Sequence, residues 1–319
     1  MLEVKNLTVA FPEGDRYYPA VEDVSFTVED HTTLGIVGES GSGKTVSVQT
    51  MLGIQHPKAK ILSGEVIFHG EDLIKKDENE LAEIRGRKIS MIFQEPMTAL
   101  NPVMKVGRQI REAYVQHNRN ASDALERTYG IMRDVGLRDV EELYNAYPHE
   151  LSGGMRQRIS IAMALIAEPE ILIADEPTTA LDATIRAQIL RLFNKMKEVY
   201  QGSIVFISHD LGVVSAICER TIVMYAGKIV EEGKSSVIAT SPKHPYTMGL
   251  MRAIPSYKQR GTKLHNIPGY LPPIDERDFK GCPFAPRCDK AMEICHTTPP
   301  AMTEEDGHRV YCHLYGGSR

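Results

Sequence analysis

Gly38-Glu39-Ser40-Gly41-Ser42-Gly43-Lys44-Thr45 puts three glycines, a lysine and a hydroxyl into eight residues. The run fits G-x-x-x-x-G-K-[ST] and lies between a short apolar stretch, 33–37, and a helix-type segment, 45–52. Phosphate groups need many donors at close range. Glycines let the backbone wrap so that successive N–H groups point inward, at a helix N-terminus whose dipole favours anions. Lys44 is expected to reach the β- and γ-phosphates, and Thr45 to offer its hydroxyl oxygen to Mg²⁺. The strand-then-helix setting argues against a mere flexible turn that carries a lysine by chance.

Two further clusters suit the same chemistry. Ile171-Leu172-Ile173-Ala174-Asp175-Glu176 is an apolar strand pattern ending in two carboxylates. Asp175 is placed to hold the Mg²⁺ shell, and Glu176 to orient or deprotonate an attacking water. Leu151-Ser152-Gly153-Gly154-Met155-Arg156-Gln157-Arg158 opens a helical run with a capping serine and two glycines, a second anion-binding helix start. Only one loop of the Gly38–Thr45 type occurs, so the anion for Ser152, Gly153 and Gly154 is expected from a partner's nucleotide.

The elements that must position these groups are legible as an α/β pattern. Segments 2–11 and 20–28 alternate like strands, with Pro12, Glu13, Gly14 and Asp15 as the turn between them. Segments 65–68 and 88–93 read as strands around a polar stretch, 72–87. From about 95 to 167 helix formers dominate, with three- and four-residue apolar spacing over 106–116 and 122–135. Segments 171–174 and 203–207 are apolar without alternation, as in parallel sheets, and 184–199 is the helix between them. Strands at 221–224 and 228–232 follow; then prolines crowd the chain from Pro242 to Pro286, which predicts a loop-rich, extended tail rather than packed sheet.

The set Gly38–Thr45, Gln94, Leu151–Gln157, Asp175–Glu176, Thr179-Ala180-Leu181-Asp182 and His209 resembles the nucleotide-binding subunits of ATP-binding cassette (ABC) transporters, in family order over residues 1–235. The resemblance implies a P-loop NTPase fold. It has a RecA-like core, an antiparallel β subdomain and an inserted α-helical subdomain at about 95–165, within a nucleotide-binding domain spanning 1–240. Two cassettes would meet head-to-tail around two ATP molecules, so that Ser152, Gly153, Gly154 and Asp182 serve the partner's ATP site. Gln94 would link Mg²⁺ and water to the helical subdomain, and His209 would contact the γ-phosphate and position Glu176. With Lys44, these make Glu176 and His209 the expected catalytic set. Gly38, Ser40, Gly41, Ser42, Gly43, Thr45, Val46, Gln94 and Asp175 complete the ATP and Mg²⁺ contacts. Phe11 is the favoured adenine-stacking aromatic, with Tyr17 and Tyr18 as competitors; Val46 stands where serine or threonine is frequent in the family.

Beyond the cassette, Lys243-His244-Pro245-Tyr246-Thr247, Ile267-Pro268-Gly269 and Gly281-Cys282-Pro283-Phe284 through Arg287-Cys288 resemble the C-terminal extension of dipeptide, oligopeptide and nickel importer ATPases. Residues 241–319 are therefore expected to be that extension. Four of the five cysteines, Cys282, Cys288, Cys295 and Cys312, fall there with five, six and sixteen residues between them, while Cys218 beside an apolar run suits a core. Zinc ribbons use closer pairs. Long loops of thiolates suit a [4Fe–4S] cluster, which some relatives carry; Zn²⁺ and unligated or disulfide cysteines are the alternatives, and His296, His308 and His313 are possible substitute ligands.

The 319 residues carry 37 basic and 42 acidic side chains, a net charge of −5 that does not favour nucleic acid as a partner. No apolar run reaches the ~20 residues of a membrane span, and the start of the chain lacks a signal-peptide pattern. The resemblance implies an ATPase on the cytoplasmic face of the membrane, powering di- or oligopeptide import with a second ABC ATPase, two transmembrane permease subunits and, indirectly, an extracytoplasmic substrate-binding protein. Nickel is the alternative solute. A soluble ABC ATPase in iron–sulfur assembly or another scaffold role is the alternative function.

Overall fold

The computed structural model describes residues 1–95, 99–118, 121–179, 181–254 and 266–316; Ala180 and Pro255 lie outside them. The chain opens with β1 (Leu2–Glu13), β2 (Arg16–Val28), β3 (Thr33–Val37), α1 (Lys44–Met51), β4 (Lys60–Phe68) and β5 (Glu71–Asp72). Then come α2 (Glu78–Ile84), β6 (Ile89–Ile92), α3 (Val106–Val115), α4 (Ala124–Asp134), α5 (Val140–Leu143), α6 (Gly153–Leu165), β7 (Ile171–Asp175) and α7 (Ala183–Val199). The rest is β8 (Ser203–Ser208), α8 (Leu211–Ile217), β9 (Arg220–Tyr225), β10 (Lys228–Lys234), α9 (Ser235–Thr240), α10 (Pro245–Ala253), α11 (Glu293–Thr297), β11 (Met302–Glu305) and β12 (His308–Tyr311). Two compact units form, one from residues 1–29, 33–75 and 207–319, the other from 30–32 and 76–206.

The first unit holds an antiparallel sheet in the order β2-β1-β4-β5. The β1–β2 hairpin runs further than the turn residues predict, closing at Gly14 with φ +60°, where a Cβ would be strained. Leu7, Val9, Val21 and Val24 from its two strands are fully buried. Five more strands of this unit follow the order β11-β12-β10-β9-β3, with β3 parallel to β9 and the others antiparallel. Every residue of β3 is buried, which accounts for its unbroken apolar run.

The tail departs from expectation here. Instead of leaving the sheet after β10, the chain returns as the β11–β12 hairpin, and β12 pairs with β10 through Val310↔Glu231 and Arg309↔Glu232. Glu231, at 0% exposure, fixes the junction: its carboxylate accepts the N–H groups of Lys243 (2.6 Å) and His244 (3.0 Å) and meets His308 Nε2 at 2.7 Å. A buried charge needs this much pairing to persist. Short strands of mixed polarity in a proline-rich stretch gave no alternation by which to read them.

In the second unit β6 lies parallel to β7, from Ile89↔Ile171 to Ile92↔Ala174, and β8 flanks β7. All five residues of β7 and all six of β8 are buried. The helices carry the predicted spacing: Val106 and Ile110 of α3, and Thr128 and Met132 of α4, are buried. The buried Gln109 accepts the Asn101 N–H at 2.9 Å and donates to the carbonyls of Asn101 (2.9 Å) and Met104 (2.8 Å), which satisfies an otherwise costly core amide. The polar stretch 72–87 contains α2, started by a capping box between Asp77 and Glu80.

Candidate functional site

The glycine-rich loop leaves β3 and enters α1, whose N-cap is Gly43. Gly41 (φ +80°) and Gly43 (φ +101°) hold left-handed conformations, so these two positions require glycine on backbone grounds alone. A Cβ on Gly38 would lie 2.2 Å from the Met224 carbonyl oxygen. Lys44 is buried at 4% exposure, and its Nζ donates to the carbonyls of Gly38 (2.8 Å) and Glu39 (3.0 Å), folding the ammonium back over the loop. Ser42 is fully buried with its Oγ lacking a protein partner. A buried, unmatched hydroxyl beside a lysine and a helix start is what a phosphate-bearing ligand would satisfy. This loop and His209, which is exposed and follows β8, belong to the first unit.

The second unit carries the carboxylates. Asp175 ends β7 at 2% exposure. Glu176 follows with φ +45°, an uncommon conformation for a non-glycine residue. Its Oε2 accepts hydrogen bonds from Thr179 Oγ1 (2.8 Å) and from Gln94 Nε2 (3.3 Å). Gln94, expected as a link from Mg²⁺ and water to the helical subdomain, thus meets Glu176 within this unit, a contact that the motif order did not specify. Thr179 was legible only as part of a motif; its grip on the carboxylate, three residues back, had no separate signal.

Ser152 caps α6, accepting the Met155 N–H at 3.3 Å, and is itself exposed. Gly154 is buried, and a Cβ there would lie 2.8 Å from Ile185 Cγ2 of α7. Packing against Ile185 is therefore a sufficient reason for glycine here. Asp182 caps α7 by accepting the N–H groups of Thr184 (2.9 Å) and Ile185 (3.0 Å). Among the adenine candidates, Phe11 and Tyr18 are cross-strand partners, Phe11 lies 6.0 Å from the His56 ring, and Tyr17 is half exposed beneath Lys60.

The expected four-cysteine metal centre is not supported. Among the described residues no group of three or more His, Cys, Asp or Glu side chains is placed to hold a metal ion. Cys282, Cys288, Cys295 and Cys312 are free thiols. Burial pushes Cys282 up to about 11 and raises Cys288 and Cys312, and the four thiols lie near enough to influence one another's charge. His308 is committed to Glu231, and His313 Nε2 to the Thr298 carbonyl at 2.9 Å. Cys218 is buried as a core residue, as its surroundings predict.

Comparison with known proteins places this geometry. The ABC transporter family matches residues 21–179, and the oligopeptide/dipeptide transporter C-terminal region matches 230–295. The chain belongs to the ABC transporter ATP-binding proteins, and is an ABC ATPase. Within that class it has the oligopeptide/dipeptide transporter type of tail. It is 44% identical over 313 residues to the oligopeptide transport ATP-binding protein OppD of Salmonella typhimurium, covering 98% of this chain and 93% of that one. It is 48% identical over 306 residues to the dipeptide transport ATP-binding protein DppD of Lactococcus lactis, covering 95% and 87%. The dimeric post-hydrolysis structure of the ATP-binding cassette MJ0796 bound to ADP and Pi aligns with a TM-score of 0.66 at 28% identity, over 74% of this chain and 99% of that one. The alternative of an iron–sulfur scaffold protein receives no support from these relatives.

Proposed function

We propose that this chain is the ATP-hydrolysing subunit of a membrane importer of di- or oligopeptides, seated on the cytoplasmic face. The observation that carries the solute class is the joining, in one chain, of a complete cassette to a tail of the oligopeptide/dipeptide transporter type. No helix among the described residues is long and apolar enough to cross a membrane, so membrane passage falls to partners. The domain boundary is placed near residue 240.

The loop Gly38–Thr45 binds the phosphates through its N–H groups, Ser42 and Lys44. Thr45 and Asp175 would supply the protein oxygens for Mg²⁺, an ion that needs few protein ligands. Mg²⁺ would neutralise phosphate charge. Glu176, oriented by Thr179 and Gln94, polarises the in-line water. His209 supports the γ-phosphate, Phe11 stacks on adenine, and Ser152, Gly153, Gly154 and Asp182 face the ATP of a second ATPase subunit. ATP-driven closure and hydrolysis-driven opening of that pair power transport.

A groove of about 480 Å³ in the second unit is lined by Met91, Phe93, Ala113, His117, Met163 and Ala164. Phe93, 42% exposed, directly precedes Gln94. This is the place we assign to a cytosolic segment of a permease subunit, where nucleotide state at Gln94 becomes movement of the partner.

Reconstitution with the co-encoded membrane subunits and binding protein tests the reading. ATP-dependent uptake of labelled peptides into proteoliposomes is expected, and Glu176→Gln should abolish it while retaining ATP. Uptake of Ni²⁺ but not peptide, or ATPase activity that never associates with membrane subunits, would overturn it.

A further inference from the structure

The tail does more than extend the sheet: it reaches the outer side of the phosphate loop within the first unit. Arg287, with its side chain 8% exposed, donates from Nη1 to Glu39 Oε2 at 2.9 Å and to the Tyr225 hydroxyl at 3.3 Å, and from Nε to the Pro268 carbonyl at 2.8 Å. Arg277 donates from Nη2 to the Gly41 carbonyl at 2.8 Å and from Nη1 to the Ala20 carbonyl at 3.2 Å. The Tyr246 hydroxyl accepts the Glu39 N–H at 2.9 Å.

Glu39 is consequently gripped at every polar group. Its N–H goes to Tyr246, its carboxylate to Arg287, and its carbonyl accepts both Lys44 Nζ (3.0 Å) and the Ser42 N–H (3.1 Å). The Gly41–Ser42 peptide is likewise held at both ends, its oxygen by Arg277 and its N–H by Glu39. Leu271 closes the contact: a Cβ on Gly41 would stand 3.2 Å from Leu271 Cδ2. Phosphate binding depends on loop N–H groups that already point inward, because ordering a glycine-rich loop at the moment of binding costs affinity.

We propose that Arg287 and Arg277 are positioning residues for the phosphate loop, so that the C-terminal tail sets the chain's affinity for ATP through Glu39 and Gly41. The inference rests on the phosphate loop being the ATP site. Both arginines act through the loop and not by contact with the nucleotide. A buried, bidentate-capable guanidinium on a part-exposed carboxylate is suited to hold one loop geometry, whereas lysine offers a single point charge.

The test is equilibrium binding of a fluorescent ATP analogue, with ATPase kinetics, on the full-length chain. Arg287→Ala is expected to raise the nucleotide Kd and the KM for ATP about tenfold, with kcat at saturating ATP within about twofold. Arg287→Lys should fall between it and the wild type. Glu39→Gln should weaken binding similarly, and the double variant E39Q/R287A should be no weaker than R287A alone, since both changes break one bond. If Arg287→Ala does not fold, Glu39→Gln reads the same contact from the loop side. Wild-type affinity in both Arg287→Ala and Glu39→Gln, or losses that simply multiply in the double variant, would overturn the proposal. Lys44→Ala separates the two levels: if it binds ATP like the wild type, the phosphate-loop reading itself fails. If it loses binding while Arg287→Ala does not, only the role of the tail is wrong.

Discussion

The hydroxyl of Thr179 donates to Glu176 Oε2 at 2.8 Å, across one turn of chain that begins in a left-handed residue. Glu176 leaves β7 in a conformation that does not by itself aim the carboxylate; Thr179 and Gln94 do so. Thr179→Val keeps the shape and removes the donor. Its ATPase kcat should fall about tenfold, in the range that one orienting hydrogen bond is worth, with ATP affinity unchanged within twofold. Steady-state kinetics beside nucleotide binding would read both, and an unaltered kcat would remove Thr179 from the mechanism.

Gly154 faces Ile185 so closely that a methyl group would sit 2.8 Å from Cγ2. Gly154→Ala should destabilise the protein by about 1–3 kcal/mol through overpacking between α6 and α7. Ile185→Ala, introduced second, should recover part of that loss because the two changes share one space. Urea midpoints of the three variants give the answer; strictly additive losses would show that the clash is relieved elsewhere.

His244 is buried at 1% exposure, and burial pushes it down to about 3. It folds neutral, while the unfolded chain takes up a proton near pH 6.5. The unfolded state therefore binds more protons below that pH. The stability from His244 is complete above about 6.5 and lost as pH falls towards 3, by up to about 1.4 kcal/mol per pH unit. His244→Asn keeps an acceptor for the Tyr246 N–H, which His244 Nδ1 accepts at 3.1 Å. Its unfolding free energy should vary less between pH 5 and 7.5 than that of the wild type, and parallel curves would contradict this.

Burial raises the Cys282 thiol to about 11 from an ordinary value of 9.0, leaving about a hundredfold less thiolate near neutral pH. Iodoacetamide should label Cys282 at least tenfold more slowly than a cysteine in a short peptide at pH 8, with the rate climbing as pH approaches 11. Peptide mass spectrometry over a time course measures it. Labelling as fast as the free peptide would mean that the site is open or holds a thiolate.

Most of what could be read in advance lay where chemistry and backbone agree. The phosphate loop is a local pattern, and β3, β7 and β8 announced their burial on both faces by unbroken apolar runs. Gln94 and Glu176 were each legible from motif order, but the hydrogen bond between them, 82 positions apart, was not. The tail was harder. Four cysteines suggested a metal centre, but ligation depends on where thiols point, and no spacing rule supplies that. The β11–β12 hairpin carries only Val310 as a fully buried residue, so its place in the sheet is decided by Glu231 and His308, a long-range pair without local periodicity. The Arg287–Glu39 bond likewise joins residues 248 positions apart.

The pairing of β12 with β10 also sets a clock for synthesis. Glu231 meets His308 only after another 77 residues have been made. At ~5–20 residues per second that is a delay of about 4–15 s, during which β10 has an open edge and Glu231 lacks its imidazole. The edge of the sheet beside β9 is therefore closed by residues made long after the loop that binds phosphate.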